Sequence, residues 1–139
     1  MPFHPQTVHF PIALLYTAFG LFVWHAVRPQ DWVTRSANLL HVLGLVAMIL
    51  SIFSGRQAES MVEVSAETAD ILQRHELLGY LSIWLFTGLW VWQFIRHGKM
   101  GSVGKWVFLA LFAASLGAMS YGAHEGGVMV YQWGIGVSK

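Results

Sequence analysis

The sequence contains no cysteine, and only 11% of its 139 residues are charged. The absence of cysteine excludes disulfides, iron–sulfur clusters, thiolate zinc sites and covalently attached c-type haem, which needs a C-x-x-C-H motif. Histidine, carboxylate and methionine side chains remain as candidate metal ligands. The formal net charge is +1 and no basic tract is present, so we expect no nucleic-acid partner.

Hydrophobic residues make up 55% of the chain and fall into four long apolar stretches. A membrane-spanning helix needs about 20 largely apolar residues. We therefore predict spans at about 9–27, 36–55, 74–96 and 105–124. The first stretch has neither a positively charged n-region nor a cleavage site, so it is interpreted as a span rather than a signal peptide. The expected fold is an all-α membrane protein, a single four-helix up-down-up-down transmembrane bundle in the lipid bilayer.

The connections between the spans differ in charge. The first and third carry five basic residues, which are Arg28, Arg35, Arg96, Lys99 and Lys105, whereas acidic residues predominate in the second. The positive-inside rule then places both termini and the acidic loop outside. We expect a multi-pass protein of the bacterial inner (cytoplasmic) membrane. Residues 125–139 form a glycine-rich outer tail, interpreted either as a lid over the outer face or as a loose interfacial segment.

The seven histidines sort into two layers on this topology. The outer layer holds His4, His9, His75 and His124, which come from three different segments of the chain. The inner layer holds His25, His41 and His97. A single histidine at a membrane interface is often only an interfacial residue, but convergence of several on one layer favours a binding site.

A non-covalent haem b on the outer side best fits these histidines, because imidazole ligates haem iron and no cysteine is needed. The first and third spans are diagonal in an up-down bundle, so His9 and His75 are the predicted axial ligands. His124 is an alternative ligand, and His4 is a weaker candidate. The porphyrin edge would pass beside small residues near the ligands, namely Ala13, Gly79 and Ser82. The propionates would meet a basic residue, Arg74.

A second haem between His25 and His41 is the alternative on the inner side. Those residues lie on adjacent spans, which clamp a ring less well than a diagonal pair. His25 also sits where an interfacial histidine is expected in any case. The predicted stoichiometry is therefore one haem per chain.

The two ends of the chain, "HPQTVHFPIALL" and "GAHEGGVMVYQWGIGV", resemble the HPxxVHFPIAL-like and GxHxGGxxVYxxGxGV-like boxes of a bacterial family of small four-helix inner-membrane proteins. In this resemblance His4, His9, His75 and His124 match motif positions. Relatives have histidine where this chain has Trp133, so the resemblance assigns no ligand to the tail. Relatives joined to or found beside c-type cytochrome domains imply a periplasmic c-type cytochrome as partner.

The predicted function is that of a membrane-bound b-type cytochrome, or of the haem-bearing subunit of a respiratory or oxidoreductase complex. It would pass electrons between a periplasmic partner and quinone, as an electron-transfer subunit rather than a stand-alone enzyme. Two alternatives remain open at this stage: a cofactor-free structural or assembly subunit of a membrane complex, and a copper- or zinc-binding membrane protein.

Overall fold

A computed structural model describes residues 3–62, 65–96 and 99–135 of the chain. It contains five helices, α1 (Phe3–Thr7), α2 (His9–Val27), α3 (Asp31–Glu59), α4 (Ala66–Ile95) and α5 (Ser102–Tyr131). The inner-layer residue His97 and the last four residues of the predicted tail lie outside the described residues.

The four long helices are long and apolar enough to cross a membrane. A helix of 30 residues, as in α4 and α5, is about 45 Å long at 1.5 Å per residue. Large apolar side chains point away from the bundle, among them Phe53 and Trp84, which are 71% and 73% exposed. A large exposed apolar surface of this kind promotes aggregation in water and is stable in contact with lipid. The prediction of an all-α helical membrane bundle is confirmed.

The helices pair before they form the bundle. The most extensive contacts join α2 to α3 and α4 to α5, and the two pairs meet mainly along α2 and α5. The contact between α3 and α4 is smaller. The short helix α1 packs on α3 and α2. One side of the bundle, between α3 and α4, is thus less tightly closed than the other.

An aromatic cluster fills the inner half of the bundle. The ring of Phe112 lies 5.0 Å from that of Phe86 and 5.6 Å from that of Phe22, measured between centroids. His41 is fully buried among these rings, and its Nε2 lies 3.1 Å from the carbonyl oxygen of Phe86, to which it donates a hydrogen bond. Edge-to-face aromatic packing fills this half densely, and a cavity lined by residues of all five helices lies in the other half.

The bounds of α2 coincide with the range 9–27. Helices α3 and α5 extend beyond the ranges 36–55 and 105–124 at both ends, and α4 begins before residue 74. The extension that matters most for the site is that of α5, which continues through Gly126 and Gly127 to Tyr131 instead of ending near residue 124. Glycine costs about 1 kcal/mol relative to alanine inside a helix, and tertiary contacts can offset such a cost. Gly126 makes such a contact with His75.

Candidate functional site: a histidine-lined cavity at one end of the bundle

A cavity of about 910 Å³ opens between the α1–α3 side of the bundle and the α4–α5 side. Its volume is near the upper end of the range for ligand pockets, which is roughly 300–1,000 Å³. Most of its wall is apolar, and the buried methionines Met48 and Met119 lie at the end toward the aromatic cluster. Gly134 and Ile135, just beyond α5, also line it. The cavity therefore suits a large, mostly apolar ligand.

His75 on α4 lines this cavity with a defined tautomer. Its Nδ1 lies 2.8 Å from the carbonyl oxygen of Gly122 on α5. A carbonyl oxygen only accepts hydrogen bonds, so Nδ1 carries the proton and Nε2 keeps its lone pair. Within the described part of the chain Nε2 has no hydrogen-bond partner. Metal-ligating histidines characteristically hold one ring nitrogen to a carbonyl in this way and leave the other for the metal.

His4 on α1 enters the cavity from the other side and is held in the same manner. Its Nδ1 lies 2.9 Å from Ser54 Oγ on α3. Ser54 Oγ also lies 3.0 Å from the carbonyl oxygen of Ser51, which can only accept, and 3.0 Å from Thr7 Oγ1, which ties the same short helix to α3. When the Ser54 hydroxyl donates to that carbonyl, Ser54 Oγ accepts from His4 Nδ1 and the Nε2 lone pair of His4 is free.

The charge state of His4 also suits a ligand. Burial lowers the pKa of His4 below its ordinary value of 6.5, and the positive form of His75 lowers this pKa further, while a hydrogen bond with the Ser51 backbone acts in the opposite direction. Desolvation and a like charge both disfavour the imidazolium form. His4 is therefore neutral near pH 7, as a metal ligand has to be.

Each of the two imidazoles lies on a glycine of the neighbouring helix. A Cβ atom added at Gly55 on α3 would lie 2.9 Å from His4 Cε1, and one added at Gly126 on α5 would lie 3.0 Å from His75 Cε1. Any side chain at either position would push the ring out of place. The two glycines thus fix how far each histidine extends into the cavity.

Polar side chains cluster where the cavity opens between α3 and α4. Arg56 Nη1 lies 3.2 Å from the Tyr80 hydroxyl and 3.7 Å from Glu76 Oε1. Glu59 also lines this opening. Ser82, deeper in the cavity, is fully buried, and its hydroxyl has no hydrogen-bond partner among the residues that the structure describes. The cavity is thus apolar inside and charged at its opening.

The structure brings together some of the predicted site residues and separates others. His75, Gly79, Ser82 and the weaker candidate His4 line the cavity, whereas His9, Ala13, Arg74 and His124 do not. His9 is exposed at the start of α2, and the Arg74 guanidinium pairs with Glu125 at 3.5 Å instead. The exposed ring of His124 stacks on Tyr121, with 6.5 Å between centroids. The histidines that line the cavity are accordingly His4 and His75, and His9 is not among its lining residues.

The inner histidines have local structural partners. The Nδ1 of His25 accepts a hydrogen bond from the Gln30 backbone N–H, 3.3 Å away, in the connection between α2 and α3. His41 is enclosed by the aromatic cluster. Neither residue lines the outer cavity.

Several contributors to the site were missed by the sequence interpretation, namely Ser54, Gly55, Arg56, Gly122 and Gly126. A signal for the first two exists in the sequence. The stretch "SIFSG", residues 51–55, places two serines and a glycine one turn apart on an otherwise apolar helix. Small polar residues with this spacing are typical of close contact between membrane helices.

Comparison with known proteins matches residues 1–139 to a family model described as "Predicted membrane protein (DUF2231)". The chain belongs to this family. No curated protein and no solved structure matches the chain. Membership of the DUF2231 family agrees with the membrane bundle, and the chemistry of the cavity has to be argued from its own residues.

Proposed function

We propose that this protein is a membrane b-type cytochrome, or the haem-bearing subunit of a larger redox complex, with His4 and His75 as the axial ligands. The observation that carries the proposal is the arrangement of these two imidazoles. They line one large cavity from opposite sides, and both have Nδ1 hydrogen-bonded and Nε2 free.

The donor set fits haem better than a bare metal ion. A closed zinc site takes four protein ligands, and a catalytic one takes three. In the described part of the chain no group of three or more histidine, cysteine, aspartate or glutamate side chains is placed to hold a metal ion. Haem brings four nitrogen ligands of its own and asks only for axial ligands from the protein. Two histidines on opposite cavity walls meet that requirement.

The surroundings also fit a flat apolar ring. Glycines at positions 55, 79, 122 and 126 line the cavity. Gly55 and Gly126 let the His4 and His75 rings lie close against α3 and α5, and an added Cβ at Gly79 would meet nothing within 4 Å. Met48 and Met119 at the deep end of the cavity would contact the ring, beside the buried hydroxyl of Ser82. When bound, haem supplies one-electron redox chemistry, while the protein sets the ligands and excludes water from the ring.

The cellular role follows from the sequence-based topology. The cavity lies at the end of the bundle that carries both termini, which the positive-inside rule places outside. There a periplasmic partner, such as a c-type cytochrome, would exchange electrons with the protein, and quinone in the bilayer is the second partner.

Visible spectroscopy tests the proposal directly. The protein, purified in detergent from cells supplied with haem precursor, should show a reduced-minus-oxidised α-band with low-spin character. His4→Ala and His75→Ala should each remove the low-spin spectrum, because each leaves one axial position without a protein ligand. His9→Ala and His124→Ala are the matched controls and should keep it. A featureless spectrum in wild-type protein would overturn the haem assignment, and loss in His9→Ala with retention in His4→Ala would overturn the ligand pair.

A further inference from the structure

Arg56 lies across the opening of the cavity between α3 and α4. It is the only lysine or arginine among the described residues that line the cavity. Its Nη1 donates a hydrogen bond to the Tyr80 hydroxyl at 3.2 Å and approaches Glu76 Oε1 at 3.7 Å. The Arg56 side chain is 63% exposed, so most of its donors face the opening and the solvent.

The contacts that Arg56 makes within the chain leave its binding capacity largely unused. A guanidinium has five N–H donors in a planar fork, which matches the two oxygens of a carboxylate. An exposed ion pair as long as the one with Glu76 is weak and easily exchanged. The Tyr80 hydroxyl adds a second polar group at the same place. An incoming carboxylate could therefore replace Glu76 without disrupting the helices.

We propose that Arg56 and the Tyr80 hydroxyl bind a carboxylate on the ligand of this cavity. The proposal rests on the proposed haem function, in which the carboxylate is a haem propionate. Arg56 follows Gly55, on which the His4 ring lies, so the cation stands beside the ligand-bearing wall. Arg74, the residue that the sequence suggested for this role, is paired with Glu125 outside the cavity.

The proposal also fixes the orientation of the ligand. Its apolar body would lie against Met48, Met119 and the other apolar walls, and its charged edge would face the opening between α3 and α4. A neutral ligand such as a quinone can accept a hydrogen bond from Arg56 but has no charge to pair with it. The charge of the ligand is thus the property that distinguishes this site from a purely apolar one.

Titration with two forms of haem tests the proposal. The full-length apoprotein in detergent is titrated with protohaem and with its dimethyl ester, in which both carboxylates are blocked, and the Soret band is followed. Wild-type protein should bind protohaem about tenfold more tightly than the ester, because the ester cannot accept a charge-assisted hydrogen bond from Arg56; tenfold corresponds to about 1.4 kcal/mol. Arg56→Gln should lose this preference, and Arg56→Lys should restore part of it.

Arg74→Gln is the matched control, because it removes an arginine of the same end of the bundle that does not line the cavity. It should keep the wild-type preference. Equal affinity of wild-type protein for both haems would overturn the carboxylate site and leave bis-histidine ligation standing. Absence of a Soret shift with either haem would overturn both proposals. The comparison of the two haems uses wild-type protein alone, so it remains decisive even where Arg56→Gln misfolds.

Discussion

His4 and His75 line the same cavity from opposite sides, and each imidazole lies on a glycine of the helix behind it. The equivalence extends to the ring nitrogens, since Nδ1 of His4 is bound by Ser54 and Nδ1 of His75 by the Gly122 carbonyl. Two segments far apart in sequence thus present the same imidazole edge to one space. Packing of α-helices alone would not require a matched pair of this kind.

Gly126→Ala should displace the His75 ring, and so weaken haem binding, without lowering the stability of α5. The new methyl group would lie 3.0 Å from His75 Cε1, so the ring has to move by a few tenths of an ångström. We expect haem affinity to fall about tenfold, equivalent to about 1.4 kcal/mol. Helix propensity favours alanine over glycine by up to about 1 kcal/mol, so the melting temperature of the apoprotein should not fall.

The control for this substitution is Gly117→Ala on the same helix, where an added Cβ meets nothing within 4 Å. It should leave the haem spectrum and affinity unchanged. Equal haem affinity in Gly126→Ala and Gly117→Ala would show that Gly126 does not position His75.

Lowering the pH should destabilise the apoprotein, because His4 takes up a proton more readily in the unfolded chain. The pKa of His4 is lowered in the folded protein, chiefly by burial, whereas in the unfolded chain it is near 6.5. Between those two values the unfolded chain binds more protons than the folded one, so the free energy of unfolding rises with pH and levels off above about 6.5. Melting temperatures of the apoprotein, measured across mildly acid to neutral pH, should follow this pattern.

His4→Gln removes the titrating group and keeps a side chain able to hydrogen-bond Ser54. Its melting temperature should depend less on pH over the same window than that of wild-type protein. Identical pH dependence in the two proteins would assign the acid sensitivity to other groups.

The limits of the sequence interpretation are clearest at His4 and His9. Hydropathy predicted the spans because apolar length is set by the bilayer and is visible in composition. Which of the two histidines lines the cavity depends on how α1 and α2 pack on the rest of the bundle. The backbone keeps helical values at Val8 between them, and five residues of helix turn by about 500°, so the two side chains point to different sides. The spacing therefore separates His4 from His9, but it does not record on which side the cavity lies.

Other contributors were hidden for a different reason. The roles of Gly55 and Gly126 depend on contact with a ring from another segment, which only the packing of α1 on α3 and of α4 on α5 creates. Arg56 and Arg74 look equivalent in the sequence as basic residues near the outer interface. Their difference arises from the partner of each guanidinium, Tyr80 in one case and Glu125 in the other.

His41→Ala should leave the haem content at one per chain, measured by pyridine haemochrome against protein concentration. His41 is fully buried among aromatic rings and does not line the cavity. Emptying its place should instead lower stability by roughly 2–4 kcal/mol, as for other large-to-small changes in a packed core. A wild-type content near two haems, falling to one in His41→Ala, would establish a second site on the inner side.

The topology is tested by reporters fused to the chain. Basic residues concentrate in the connections that join α2 to α3 and α4 to α5, so these connections should face the cytoplasm and both termini should face outward. A reporter active only in the cytoplasm, fused after Lys139, should therefore be silent, and one active only in the periplasm should report. The same pair inserted after Pro29 in the first connection should give the opposite result. Cytoplasmic activity at Lys139 would invert the bundle, place the His4–His75 cavity at the inner surface, and remove the periplasmic partner from the proposal.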